Sequence, residues 1–213
     1  MSAPIDASHN YLRKARLLEI EDGFIAPKLL PEIMGLEKEG FAREVSNNRF
    51  ELTEAGRKEV SVVLTGGVFD ILHPGHIFTL EKAREFGELL VVIIASDETV
   101  RKIKSREPFH VEEERRKIVS ALKPVDLAIV GAHGNRLETV KRVHPNAIVF
   151  GYDQAMEWAR VLENEGIKMV KLENHLHEHV FKTSRIRAIL EEEAKKEQTQ
   201  GNGSKLKTDA EEE

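Results

Sequence analysis

The run from Ser61 to His76, SVVLTGGVFDILHPGH, leaves few folds open to this chain. Val62, Val63 and Leu64 are continuously apolar and largely β-branched, which suits a strand covered on both faces. Gly66 and Gly67 let the backbone approach a ligand with no Cβ in the way. Pro74 fits the first position of a helix, where its missing N–H costs nothing. The free N–H groups and positive dipole end of that helix favour an anion, and His73 and His76 sit three residues apart over the same first turn. A lone histidine at a helix start is usually a cap or a solvated side chain. The strand, paired glycines and second histidine together point to a phosphate site.

From Val60 to about Glu193, strand-like and helix-like segments alternate. The strand candidates are Val62 to Leu64, Leu89 to Ala95, Leu127 to Val130, Ala147 to Phe150 and Met169 to Leu172. Such alternation predicts an α/β fold, a Rossmann-like parallel sheet with helices on both faces. Functional residues are then expected just beyond the carboxyl ends of the strands.

The first 58 residues read as a small α+β unit. A helix is expected through Tyr11, Leu12, Ala15, Leu18 and Glu19, and a second one between Pro31 and Lys38. Phe41 to Leu52 gives two extended pieces around Asn47 and Asn48, a pair suited to the positive φ angles of a tight hairpin. Thr53 can cap a helix begun by LTEAGR. This order resembles a winged helix-turn-helix. Three regions are therefore expected: 1–58 winged-helix-like, 59–194 catalytic, and 195–213 a polar, disordered tail.

Composition excludes several classes. No apolar run approaches bilayer length and no secretory pattern opens the chain, so a soluble cytoplasmic protein is expected, without membrane association. With no cysteine there are no disulfides and no thiolate metal sites. A formal charge of -5 gives no general attraction to nucleic acid. Residues 1–58 hold nine Lys or Arg against ten Asp or Glu, without the basic excess a DNA-binding face needs. A nucleotide-sensing DNA-binding regulator is therefore the weaker alternative, and packing, dimerisation or a lid is the expected role of this unit. A homo-oligomer is compatible with the sequence.

The pattern TGGVFDILHPGH resembles the signature of the cytidylyltransferase-like nucleotidyltransferases, whose HxGH motif is matched by His73, Gly75 and His76. That resemblance implies transfer of a nucleotide to a phosphate-bearing acceptor with loss of pyrophosphate. It implies nucleotide-binding roles for Thr65, Gly66, Gly67, Phe69, His73, Gly75 and His76, with the two histidines acting electrostatically on the triphosphate. In FKTSRIRAIL, Thr183, Ser184 and Arg187 match the family's helix start that binds the β and γ phosphates. Lys102, in a segment that also carries Lys104 and Arg106, matches a family lysine against the acceptor or α-phosphate; a solvated basic face is the other reading. EEERR resembles a family helix from which Arg115 would reach phosphate while Arg116 faces solvent.

After the strand ending in Phe150, GYDQ offers Gly151 for close approach of a base and Asp153 as an acceptor for a ribose hydroxyl or an adenine amino group. Together with ALKPVD and EEERR, it resembles the archaeal-type FAD synthases, which join AMP from ATP to FMN. An N-terminal extension and the lack of cysteine depart from that group's usual pattern. CTP with glycerol 3-phosphate and ATP with phosphopantetheine remain alternatives. Magnesium carried by ATP is the expected ion, with Asp70 a weak candidate contact. His175, His177 and His179 share one face of an extended segment and could line the site's mouth or hold a metal.

Overall fold

Successive residues of the central strands fill two different cores. In a computed structural model describing residues 7–132 and 135–173, with Ala188 and Glu192, a parallel five-stranded sheet takes the order β5-β4-β3-β6-β7. Its strands are β3 (Val62–Gly67), β4 (Leu89–Ile94), β5 (Leu127–Val130), β6 (Ala147–Phe150) and β7 (Lys168–Lys171). Val62, Leu64, Leu89, Val91, Ile129, Ile148 and Phe150 belong to one core. Val63, Leu90, Val92, Ile94, Ala128 and Val149 belong to the other. That strict alternation is the period of two expected for a sheet buried on both faces.

Helices complete both layers. Leu80 and Ala83 of α4 (Pro74–Arg84) and Val119 of α6 (Glu112–Ser120) cover one face; Val140 and Val143 of α7 (Arg136–Val143) cover the other. Between β4 and α6 lies α5 (Asp97–Lys104), capped by Ser96, whose hydroxyl accepts from the Thr99 N–H. The gap between β6 and β7 was expected to be helical and holds a 3₁₀ helix, Glu157–Glu165. The Rossmann-like expectation holds.

The N-terminal elements appear in the expected order: α1 (Ala7–Asp22), α2 (Ile33–Lys38), β1 (Ala42–Ser46), β2 (Arg49–Leu52) and α3 (Glu54–Lys58). Asn47 and Asn48 turn the hairpin with φ of 35° and 60°. Thr53 caps α3, accepting from the Gly56 N–H at 3.1 Å. Gly56 is obligatory because a Cβ there would stand 2.1 Å from the Phe41 carbonyl oxygen.

The composition boundary near residue 58 does not divide the hydrophobic interior. Leu12, Ile20, Ile33, Leu36, Phe50 and Leu52 share one core with Val62, Leu89 and Ile148. Polar links follow the same path. Arg16, 1% exposed, donates to Glu19 at 2.7 Å and to the Val143 carbonyl at 2.6 Å. Glu19 also accepts from the Leu52 N–H and from Arg57. Arg13 donates to the Glu88 carbonyl and His9 pairs with Glu88, just before β4. These attachments lie at the amino ends of the parallel strands, opposite the rim where a Rossmann-like sheet binds ligands. The unit packs against this end of the sheet.

Candidate active site

The sheet order reverses between β3 and β6, because the chain runs outward through β4 and β5 and then returns to the other side of β3. A crevice at such a reversal is where open α/β sheets hold ligands. Here its width is visible in the ladder. β3 pairs with β4 up to Gly67 and Ile94, and β6 pairs with β7 up to Phe150 and Lys171, but β3 and β6 pair only at Val63–Ala147 and Leu64–Ile148. Beyond Leu64 the backbone ladder between the two central strands ends.

The β3–α4 turn enters this crevice. Phe69 takes a left-handed φ of 51° and is 4% exposed. A Cβ on Gly67 would approach its ring to 2.9 Å, and one on Gly66 would reach the Ile93 carbonyl oxygen at 3.2 Å. The paired glycines expected to admit a ligand thus also admit the chain's own packing. Pro74 opens α4 and His73 is its N-cap residue.

The histidines stack with ring centroids 3.8 Å apart, and the Phe69 ring lies 5.2 Å from that of His76. His76 Nδ1 accepts from the His73 backbone N–H at 3.3 Å. Its proton therefore resides on Nε2, which is left to donate. Among the described residues, His73 Nδ1 is buried without a hydrogen-bond partner. Burial, then repulsion from His73, pushes the His76 pKa down to about 4 against the opposing charge of Asp153; burial also lowers that of His73. Both rings are neutral near pH 7, so each offers one N–H.

The sequence model of a family described as cytidylyltransferase-like matches residues 64–190. The chain belongs to this family. Among proteins resembling this cytidylyltransferase-like chain, a curated FAD synthase of Aciduliprofundum boonei is 44% identical over 110 residues, 50% of this chain and 73% of that protein. The crystal structure of a lipopolysaccharide core biosynthesis protein from Thermoplasma volcanium GSS1 is 38% identical, with a TM-score of 0.51. That match covers 55% of this chain and 99% of the other. The N-terminal unit precedes the family match.

Several of the expected site residues of the cytidylyltransferase-like chain make contacts within the protein. Thr65 is buried and its Oγ1 donates to the Val149 carbonyl at 2.8 Å, a link between β3 and β6. Asp70, 3% exposed, accepts from Arg106 at 3.0 Å and from the Phe109 N–H at 2.6 Å. Its carboxylate ties the loop after α5 to the β3–α4 turn. No group of three or more metal-ligating side chains occurs among the described residues.

Arg115 is 0% exposed. Its guanidinium donates to the Val68 and His110 carbonyls and to Asp97, at 2.6, 2.9 and 2.6 Å. Through these bonds it holds the turn before the histidines. Arg116 pairs with Glu113 at 2.8 Å. Lys102 lies on an exposed face of α5, its ammonium 2.6 Å from Glu98.

Gly151 and Asp153 follow β6 into the crevice opposite the histidines. Gly151 has room for close approach, since a Cβ there would meet no atom nearer than 3.7 Å. Gln154, absent from the expected set, accepts from the Gly151 N–H at 2.9 Å and donates to the Gly66 carbonyl at 2.6 Å. Thr183, Ser184 and Arg187, together with His175, His177 and His179, lie outside the described residues. Among the described residues no helix is long and apolar enough to cross a membrane.

Proposed function

We propose that this chain is an FMN adenylyltransferase, forming FAD and pyrophosphate from ATP and FMN. The observation that carries this reading is the pair of neutral, stacked histidines at the start of α4, set at the sheet's reversal point. The 44% identity to a curated FAD synthase supports the choice of substrates.

A phosphate oxygen of FMN attacks the α-phosphorus of ATP in line, and the bond from that phosphorus to the bridging oxygen breaks as pyrophosphate leaves. An FMN phosphate has its second pKa near 6 and is largely dianionic at neutral pH, so no base is required. Positioning and relief of charge are what remain for the protein to supply. The Nε2–H of His76 donates to triphosphate oxygens as charge moves towards the leaving group, and His73 assists from the cap position. The amino end of α4 adds its dipole. Asp153 and Gly151 receive the nucleoside on the opposite wall.

Lys102 is held to Glu98 only by an exposed pair one turn apart, worth about 0.3–0.5 kcal/mol. A triphosphate can draw it inward at little cost. Thr183, Ser184 and Arg187 are proposed as the β- and γ-phosphate contacts. The divalent ion, magnesium, arrives as part of the ATP substrate. We infer no duplex DNA partner, since the N-terminal unit carries no basic excess.

Pyrophosphate release tests this reading, with magnesium and either ATP or CTP, each with FMN, glycerol 3-phosphate or phosphopantetheine. Release with ATP and FMN alone is expected. Release with another pair reassigns the acceptor, and silence together with retention on duplex DNA at physiological salt moves the protein to the regulator class.

A further inference from the structure

We infer that Gln154 is a positioning residue that sets the width of the nucleotide crevice by replacing a missing rung of the β3–β6 ladder. The inference rests on the proposed nucleotide site. Residues of even number on β3 turn their backbone groups towards β6: the Val62 carbonyl accepts from the Asn146 N–H at 2.8 Å, and Leu64 is the last residue in register, opposite Ile148. Gly66 comes next in that series. Its carbonyl has no rung of the β3–β6 ladder, because the backbone pairing ends at Leu64 and Ile148 and only the Thr65 hydroxyl reaches Val149 beyond it. Gln154 Nε2 fills that place at 2.6 Å, reaching across 88 residues of sequence.

The other end of the same amide is also fixed. Gln154 Oε1 accepts from the Gly151 N–H at 2.9 Å, and the Gln154 backbone N–H donates to the Gly151 carbonyl at 3.0 Å. An amide flip would set Oε1 against a carbonyl and the NH₂ against an N–H, so one orientation satisfies both contacts. The side chain therefore holds Gly66, on the wall that leads to the histidines, at a set distance from Gly151, on the wall that receives the nucleoside. A direct ladder bond would close the crevice, whereas a side chain of this length keeps it open by a fixed amount.

Two substitutions separate this role from general stability. In Gln154→Glu, a carboxylate still accepts from Gly151 but repels the Gly66 carbonyl; once protonated, it can accept at one oxygen and donate at the other, as the amide does. Facing a carbonyl, that carboxyl titrates above the ordinary glutamate range. Gln154→Met keeps the volume and loses both bonds at every pH. Nearby charge is that of Asp153, and burial lowers the pKa values of both His73 and His76. Wild type at each pH controls for these groups.

The single tryptophan, Trp158, lies four residues beyond Gln154, so its fluorescence can report magnesium–ATP and magnesium–CTP binding without turnover. The expected result is a tenfold or greater loss of affinity in Gln154→Glu at pH 8, shrinking to threefold or less at pH 6. Gln154→Met should stay weak at both. If Gln154→Glu binds like wild type throughout, or remains equally weak at both pH values, the inference is overturned. A wild type that prefers CTP overturns the AMP reading while leaving the staple to be scored with CTP. A wild type that binds neither nucleotide overturns both.

Discussion

The carboxylate of Asp70 receives the Arg106 guanidinium at 3.0 Å, at the point where the β3–α4 turn meets the loop after α5. The same carboxylate takes the Phe109 N–H at 2.6 Å, so one buried side chain orders two loops. With Arg115 holding the Val68 carbonyl from the other side, the turn that presents His73 and His76 is fixed at both flanks.

Replacing Asp70 by alanine leaves the partly exposed Arg106 guanidinium and the Phe109 N–H without their shared acceptor. The expected loss is about 2–3 kcal/mol. Urea denaturation measures it directly. Pyrophosphate release should fall further than the folded fraction does, since the histidine turn loses its anchor; proportional losses would mean the contact serves stability alone.

His76→Ala removes the Nε2–H donor assigned to the triphosphate. Turnover is expected to fall by about 10²–10³, the usual cost of one preorganised donor to a developing charge. The circular dichroism spectrum should be retained. A variant with near-wild-type turnover would remove His76 from the chemistry.

The depressed pKa of His76 has a defined consequence for stability. Its folded value of about 4 lies below the ordinary 6.5, so between those values the unfolded chain binds more protons. The contribution is complete above pH 6.5 and is lost as pH falls towards 4, by about 3 kcal/mol in all. Urea midpoints of wild type and His76→Gln at pH 7.5 and 4.5 check this. The wild type should lose more on acidification, and equal losses would contradict the assigned cause.

Glu19→Ala strands Arg16 in the interior with its carboxylate partner gone. A loss of about 3–5 kcal/mol is expected for a broken buried pair. Because one core spans both halves of the chain, Trp158 fluorescence and far-ultraviolet circular dichroism should shift together. Separate transitions would show that the N-terminal unit unfolds by itself.

Much of this architecture is legible in the sequence because it depends on local pattern. Continuous apolar runs located four of the parallel strands, the alternation of elements located the fifth, and Asn47–Asn48 located the hairpin turn. Pro74 after a polar cap marked the start of α4. Contacts between distant segments left no such trace. Nothing periodic announces that Arg115 serves Val68, or that the Gln154 amide serves Gly66. The boundary near residue 58 follows a change of composition, but an apolar residue on α1 gives no sign of which sheet it will meet. Lys102 is a different case: its spacing of four from Glu98 already signalled an ion pair on an exposed face.

The contact between Gly67 and Phe69 links the fates of two positions. The ring occupies the space a side chain at 67 would need, and the left-handed backbone at 69 keeps it there. Gly67→Ala should therefore be harmful beside phenylalanine and much milder beside a smaller residue at 69. Mutational paths through this turn are thus ordered: the aromatic must shrink before the glycine can change.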